Sequence, residues 1–233
     1  MTYYFSILFL SIIIPFTFSF HPKIKFNRRF HIVICSILIV SIPFIIWDMI
    51  FVKNGIWGFN KNHISGFFIY NLPIEELLFF FIIPFCCVYT HHLIEKFEIS
   101  FFKINNWKKI NSYLGFFLLI CAFYFFDKKY TFFCLSLCSL VIFIEYFFSK
   151  RINYNSFYTL FIIIMAPFII VNGALTGLFL NQYVVWYNQN EIINLYLFTI
   201  PIEDIFYSYQ LILLNIIVYK NISYAIDKPL NSI

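Results

Sequence analysis

Charge is scarce in this chain. Of its 233 residues only 12% are Asp, Glu, Lys or Arg, where soluble domains carry about 25%. With 62% hydrophobic residues, 24% of the chain being Phe, Tyr or Trp, and a mean hydropathy of +0.84, a water-soluble globule is excluded. Strictly alternating apolar and polar segments are missing too, which excludes an outer-membrane barrel. The six cysteines (Cys35, Cys86, Cys87, Cys121, Cys134, Cys138) form no C-x-x-C and stand in no Cys/His cluster. They read as small buried hydrophobes, neither metal ligands nor disulfides. No Lys or Arg precedes the first apolar run, so a cleaved secretory leader is not expected and that run reads as a retained span. Only 6 glycines occur, and no G-x-G-x-x-G fingerprint for a dinucleotide is among them.

What is present is a series of apolar runs near the ~20 residues that a helix needs to cross a bilayer. Seven spans are expected, at 2–20, 30–51, 65–89, 113–126, 131–148, 156–180 and 194–219. The fourth is short, which leaves a tilted or re-entrant helix open. The cations sit between the runs and carry a topology signal, so the formal +5 charge does not argue for nucleic acid. One side holds Lys23, Lys25, Arg28, Arg29, Lys96, Lys103, Lys108, Lys109, Lys150, Arg151, Lys220 and Lys228; the other holds Lys53, Lys61, Lys128 and Lys129. Positive charge stays inside, so the expected arrangement is a multi-pass cell-membrane protein with its N-terminus outside and its C-terminus cytoplasmic.

A repeat underlies the runs. Pro43-Phe44-Ile45-Ile46-Trp47-Asp48 recurs as Pro167-Phe168-Ile169-Ile170-Val171-Asn172. A stretch with Gly and Trp follows each: Gly55-Ile56-Trp57-Gly58-Phe59-Asn60, and Gly173 to Gly177 with Val185-Trp186-Tyr187-Asn188. Then comes Pro73-Ile74-Glu75-Glu76 in the first copy and Pro201-Ile202-Glu203-Asp204 in the second. The expected fold is therefore all-α and polytopic, with about seven transmembrane helices. Residues 1–95 and 130–233 form two three-helix units, and 96–129 is a connector loop and helix. An odd connector makes the units parallel about an axis along the membrane normal. Counted along spans three and seven, both acidic pairs lie ~12 Å below the outer boundary.

Paired carboxylates inside apolar runs are the chemically informative feature. Each charge at the bilayer centre costs at least ~2.5–3.5 kcal/mol, so such groups are rarely kept without a use. Proline opens the preceding turn, and in lipid an opened backbone is tolerated only against protein or a cavity. Glu75, Glu76, Glu203 and Asp204 are thus candidate catalytic residues in one shared cavity, where one carboxyl can serve as acid and another as base. Adjacent helical residues point ~100° apart, so one member of each pair faces the cavity; which one is open. Asp48 and Asn172 are supporting candidates at matching positions, Asp48 either orienting an acid or hydrating at the interface. Tyr70 and Asn71, before Pro73, are candidates for satisfying freed backbone groups. Tyr207 follows Glu203 by one turn, where Phe79 follows Glu75. Trp57 and Trp186 read as interface anchors. His91 and His92 read as surface histidines rather than a metal site, and Glu145 as a snorkelling acid beside Lys150.

The duplicated Pro-x-Glu-(Glu/Asp) motif with Phe-Ile-Ile-Trp-Asp upstream resembles the lycopene cyclase domain family of carotenoid biosynthesis. In that family two homologous membrane units occur separately or fused, and this chain looks like the fused form over nearly its whole length. The resemblance implies a redox-neutral lycopene β-cyclase that closes the linear ends of lycopene into β-ionone rings. It implies Glu75, Glu76, Glu203 and Asp204 as the catalytic residues, no cofactor, and lycopene or a related linear carotenoid as substrate within membrane lipid. A homo-oligomer, or association with other carotenoid enzymes, is left open. The missing G-x-G-x-x-G separates the chain from the flavin-binding soluble type of cyclase. Two other readings share the same features: an end-group hydratase, in which water captures the same cation, and a small proton-coupled transporter. The transporter is disfavoured by the lack of a basic partner within the spans and by the few glycines. A prenyltransferase would want an Asp-rich diphosphate motif, which is not there.

Overall fold

The computed structural model describes residues 2–148, 151–180 and 182–227. Seven helices occur among them: α1 (Tyr3–Phe18), α2 (Phe30–Lys53), α3 (Ile74–Lys96), α4 (Trp107–Tyr124), α5 (Lys129–Phe148), α6 (Tyr154–Thr176) and α7 (Glu203–Asp227). Five helical stretches, Phe26–Lys53, Ile74–Lys96, Lys129–Phe147, Tyr154–Thr176 and Glu203–Asp227, are long and apolar enough to cross a membrane. The protein is an all-α polytopic membrane protein. Its 16-residue α1 is shorter, about 24 Å at the helical rise. Helix α4 is continuous and begins earlier than the sequence suggests. Its Ser139-facing carbonyl at Gly115 ties it to α5 at 2.8 Å, while Tyr113, Phe116, Phe117 and Ile120 stay exposed.

Spans three and seven need correcting. Their helices start at Ile74 and Glu203, so residues 65–73 and 194–201 are not helical. Each forms instead a two-stranded hairpin, β2 (Phe68–Ile69) with β3 (Leu72–Pro73), and β5 (Tyr196–Leu197) with β6 (Ile200–Pro201). The turns need a left-handed residue, supplied by Tyr70 (φ 60°) and Phe198 (φ 59°). Proline then closes each hairpin and blocks the helix from starting earlier, because its ring restricts the residue before it. The acids therefore sit in the first helical turn, and a depth counted along eight helical residues does not apply.

Before the hairpins, β1 (Trp57–Phe59) pairs antiparallel with β4 (Val185–Tyr187), joining the two copies of the repeat. The register is Trp57↔Tyr187, Gly58↔Trp186 and Phe59↔Val185, so the Gly58–Trp186 pair is its centre. Only glycine suits that centre: a Cβ on Gly58 would lie 2.7 Å from Cζ2 of Trp186. Trp57 is buried in this ribbon rather than serving as an interface anchor.

Four helices carry an internal proline: Pro15, Pro43, Pro84 and Pro167. Each deprives the carbonyl four residues earlier of its helical donor. For Pro84 that carbonyl, Phe80 O, accepts from Ser41 Oγ at 2.9 Å, and for Pro15, Ser11 O accepts from Cys86 Sγ at 3.4 Å. Neighbouring helices thus replace the lost bonds, as a lipid environment demands. At the end of the bundle away from the ribbon, Arg29 bonds Asp227 and Lys220 bonds Glu95. His91 is buried there beside Glu95, not exposed as the sequence suggests. Glu145 is likewise buried, and Lys150, its expected neighbour, lies outside the described residues.

Candidate active site

The two Pro-x-Glu-acid motifs build matched ends for α3 and α7. In the first, Oε1 of Glu75 accepts from the backbone N–H of Ser65 at 2.6 Å and from Thr2 Oγ1 at 3.0 Å. In the second, Oε1 of Glu203 accepts from the backbone N–H of Ile193 at 2.9 Å and from Thr131 Oγ1 at 2.5 Å. The donor amide lies ten residues before the acid in both. A further pair of bonds closes the same loops, Ile74 N–H to Phe67 O and Ile202 N–H to Leu195 O, each 2.9 Å. Glu75 and Glu203 are fully buried and turned toward these loops. The carboxylates also complement the positive end of each helix dipole.

The second acid of each pair turns the other way, as the ~100° step between helical neighbours requires. Glu76 and Asp204 line one internal slot of ≈ 250 Å³. Its walls come from α1 (Ser11, Pro15), α3 (Ile83, Pro84, Cys87, Thr90), α6 (Ile164, Phe168, Val171) and α7 (Leu211, Ile212). From Glu76 to Thr90 it follows α3 for about 21 Å of helical rise,. Pro167, exposed on the outer surface of α6, also lines it, so the slot reaches the lipid-facing side between α1 and α6. Among its lining residues none is basic.

Polar groups gather at the ribbon end. Tyr4 Oη donates to Glu76 Oε2 at 2.6 Å, and Tyr130 Oη donates to Asp204 Oδ1 at 2.6 Å. These two bonds correspond, because Tyr4 and Tyr130 stand at the heads of α1 and α5. Tyr187 Oη from β4 adds a donor to Asp204 Oδ2 at 2.8 Å. Burial first, and then the charge of Asp204, hold the Tyr187 phenol well above its ordinary pKa, so it remains a donor,. Asp48 is buried at the slot, not hydrated at an interface, and its Oδ1 accepts from Tyr207 Oη at 3.0 Å. Three carboxyls and four phenols therefore share one end of an apolar slot.

The remaining candidates divide. Asn172 lines the slot, and its amide bonds its own helix at Phe168 O, 3.2 Å. Asn71 donates to Met49 O at 2.7 Å and so ties the hairpin to the end of α2. Tyr70 points out at the hairpin turn, and Pro73 and Pro201 are buried in the hairpins. Sequence reasoning missed Thr2, Tyr4, Ser65, Tyr130, Thr131 and Tyr187. The one signal available was a Tyr and a Thr together at the start of both first helices, Thr2 with Tyr4 and Tyr130 with Thr131.

Residues 1–94 and 127–222 match the family model described as Lycopene cyclase. The chain belongs to the lycopene cyclase family. The match falls into two pieces that leave out all of α4 and the loop before it. A search of curated proteins and a search of solved structures each found no match. The family implies an enzyme acting on carotenoids.

Proposed function

We propose that this cyclase is a lycopene β-cyclase, and that it closes the ends of the polyene where the slot meets its carboxyls. The observation that carries this reading is a lipid-accessible apolar slot ending in Asp48, Glu76 and Asp204 with no cation beside them. A carboxylic acid there protonates the terminal C1=C2 double bond at C2. The C5=C6 pair attacks the tertiary cation through C6, forming the C1–C6 bond and moving the cation to C5. A carboxylate then takes the proton from C6, which sets the ring double bond between C5 and C6. One proton is added and one removed, so no electrons are exchanged with a cofactor. Tyr207 and Trp57 line the slot, and aromatic rings suit a cation.

In this reading Glu75 and Glu203 act from behind, fixing the hairpins that set the helix starts. The division into two units, 1–95 and 130–233, with 96–129 between them, is supported by the corresponding bonds of Glu75 and Glu203 and of Glu76 and Asp204. The slot's carboxyl end lies with Lys53, Lys61, Lys128 and Lys129, the side poorer in cations, so we place it toward the outside and the C-terminus in the cytoplasm.

The test is expression in a bacterium that accumulates lycopene, with chromatography of the pigments. Carotenes with β-rings support the proposal. Hydroxylated ends would favour the hydratase instead, and unchanged lycopene in cells that hold the inserted protein would overturn both.

A further inference from the structure

We infer that Glu76 and Asp48 are the two carboxyls that give and take the proton, and that Asp204 stands as a fixed partner to the cation. This rests on the cyclisation proposed above and assigns the roles within it. Asp204 has both oxygens engaged, Oδ1 by Tyr130 and Oδ2 by Tyr187. Two phenol donors suit an acceptor-only carboxylate, and together they favour the ionised form of Asp204 over the protonated acid. Glu76 and Asp48 each have one oxygen engaged, Glu76 Oε2 by Tyr4 and Asp48 Oδ1 by Tyr207. Among the described residues no donor reaches Glu76 Oε1 or Asp48 Oδ2. Each of these acids is therefore oriented by one phenol and keeps a second oxygen free at the slot, the arrangement that general acid–base transfer requires.

Asp48 lies outside the duplicated acidic motif. Its counterpart in the other copy is Asn172, and the counterpart of Tyr207 is Phe79, so the Asp48–Tyr207 pair exists once. The proton bookkeeping closes within the pair. One member, protonated, gives its proton to C2 of the polyene; the other, ionised, takes the proton from C6. The proton then passes back between the two carboxyls, which line the same end of the slot, and the enzyme is reset with nothing consumed. Between those steps Asp204 and its two phenols face the cation as an electrostatic partner that needs no rearrangement.

The experiment compares D48N, E76Q and D204N with the unaltered protein, in turnover of lycopene held in lipid vesicles and in the infrared carbonyl stretch of protonated carboxyls. Loss of a general acid or base costs roughly 10²–10⁴-fold, and D48N and E76Q are expected to lose turnover on that scale. D204N is expected to keep a slower but measurable turnover to the same product. The infrared band of the resting protein should shift or vanish in D48N and E76Q and stay in place in D204N. If the unaltered protein leaves lycopene untouched while the band follows this pattern, the cyclisation reading fails and the carboxyl pair stands. If cyclisation proceeds in D48N within about tenfold of the unaltered rate, or the band moves only in D204N, the assignment is overturned. Thermal unfolding of each variant separates these outcomes from misfolding.

Discussion

Replacing Glu75 by alanine tests whether the first acid of the motif is a pin or a catalyst. Its Oε1 accepts from the Ser65 amide at 2.6 Å and from Thr2 at 3.0 Å, and its Oε2 accepts from the Ser65 hydroxyl at 3.1 Å. The two hydroxyls can rotate to other acceptors, but the amide cannot, and an unmatched amide away from water costs about 1–3 kcal/mol. We therefore expect Glu75→Ala to lose about 2 kcal/mol, most of it in the hairpin. For a chain of this size that lowers Tm by about 4–8 °C. At Ser65 itself, about 2 kcal/mol corresponds to roughly 30-fold faster amide exchange. Glu75→Gln keeps an oxygen facing the amide and should lose less than half as much. Its turnover should remain well above that of Glu76→Gln, which removes a group at the slot. Unfolding and hydrogen exchange in detergent micelles, with turnover in vesicles, measure all three quantities. Unchanged Tm and Ser65 exchange in Glu75→Ala would refute the pin, and a Glu75→Gln enzyme as inactive as Glu76→Gln would return Glu75 to the chemistry.

Three further outcomes follow from particular contacts. Val171→Trp places an indole in the slot and should lower turnover roughly tenfold or more by displacing the polyene, with Tm unchanged or raised. Gly58→Ala sets a methyl 2.7 Å from the Trp186 indole, at a cost of about 1–3 kcal/mol in unfolding experiments; Trp186→Ala in the same chain should restore most of it. Ser41→Ala removes the donor to Phe80 O, freed by Pro84, and should cost about 1 kcal/mol with little effect on product identity.

The helices were legible because composition decides them: a run without charges in a chain this apolar has few other places to go. That the two motifs bring acids to a cavity was legible for a related reason, since such groups are too costly in these runs to be incidental, but which member of each pair turns inward was not. The hairpins were not. Residues 65–73 and 194–201 carry no charge and run on into the apolar helices they precede, and what decides them is a left-handed turn at Tyr70 and Phe198, residues with no preference for that conformation,. The segments that lead into those turns are held by bonds from Ser65 and Ile193 to Glu75 and Glu203, contacts that hydropathy does not register. The phenols were hidden by number. With 17 tyrosines in the chain, only the neighbouring threonines at the heads of α1 and α5 mark Tyr4 and Tyr130, and nothing local marks Tyr187. Asp48 was visible, but its burial depends on Tyr207, which is 159 residues away in the chain.

The differences between the two copies bear on mechanism more directly than their likeness. Trp47 and Val171 occupy the same place in Pro-Phe-Ile-Ile-(Trp/Val)-(Asp/Asn). On the α2 side Phe44 and Trp47 pack against Tyr207, with ring centroids 5.3 and 5.0 Å apart, and fill the crevice between α2 and α7. On the α6 side Val171 leaves out the indole, and the space beside it is part of the slot. The next residue reverses the pattern of function: Asp48 brings a carboxyl to the slot's end, where Asn172 brings an amide bonded to its own helix. One copy thus contributes the plugged side and an extra acid, and the other contributes the open wall. Two identical halves would offer either two slots or none, each with the same acids. Divergence at Trp47/Val171, Asp48/Asn172 and Tyr207/Phe79 leaves the carboxyls around the slot inequivalent, and inequivalent surroundings let one carboxyl rest protonated while another is ionised.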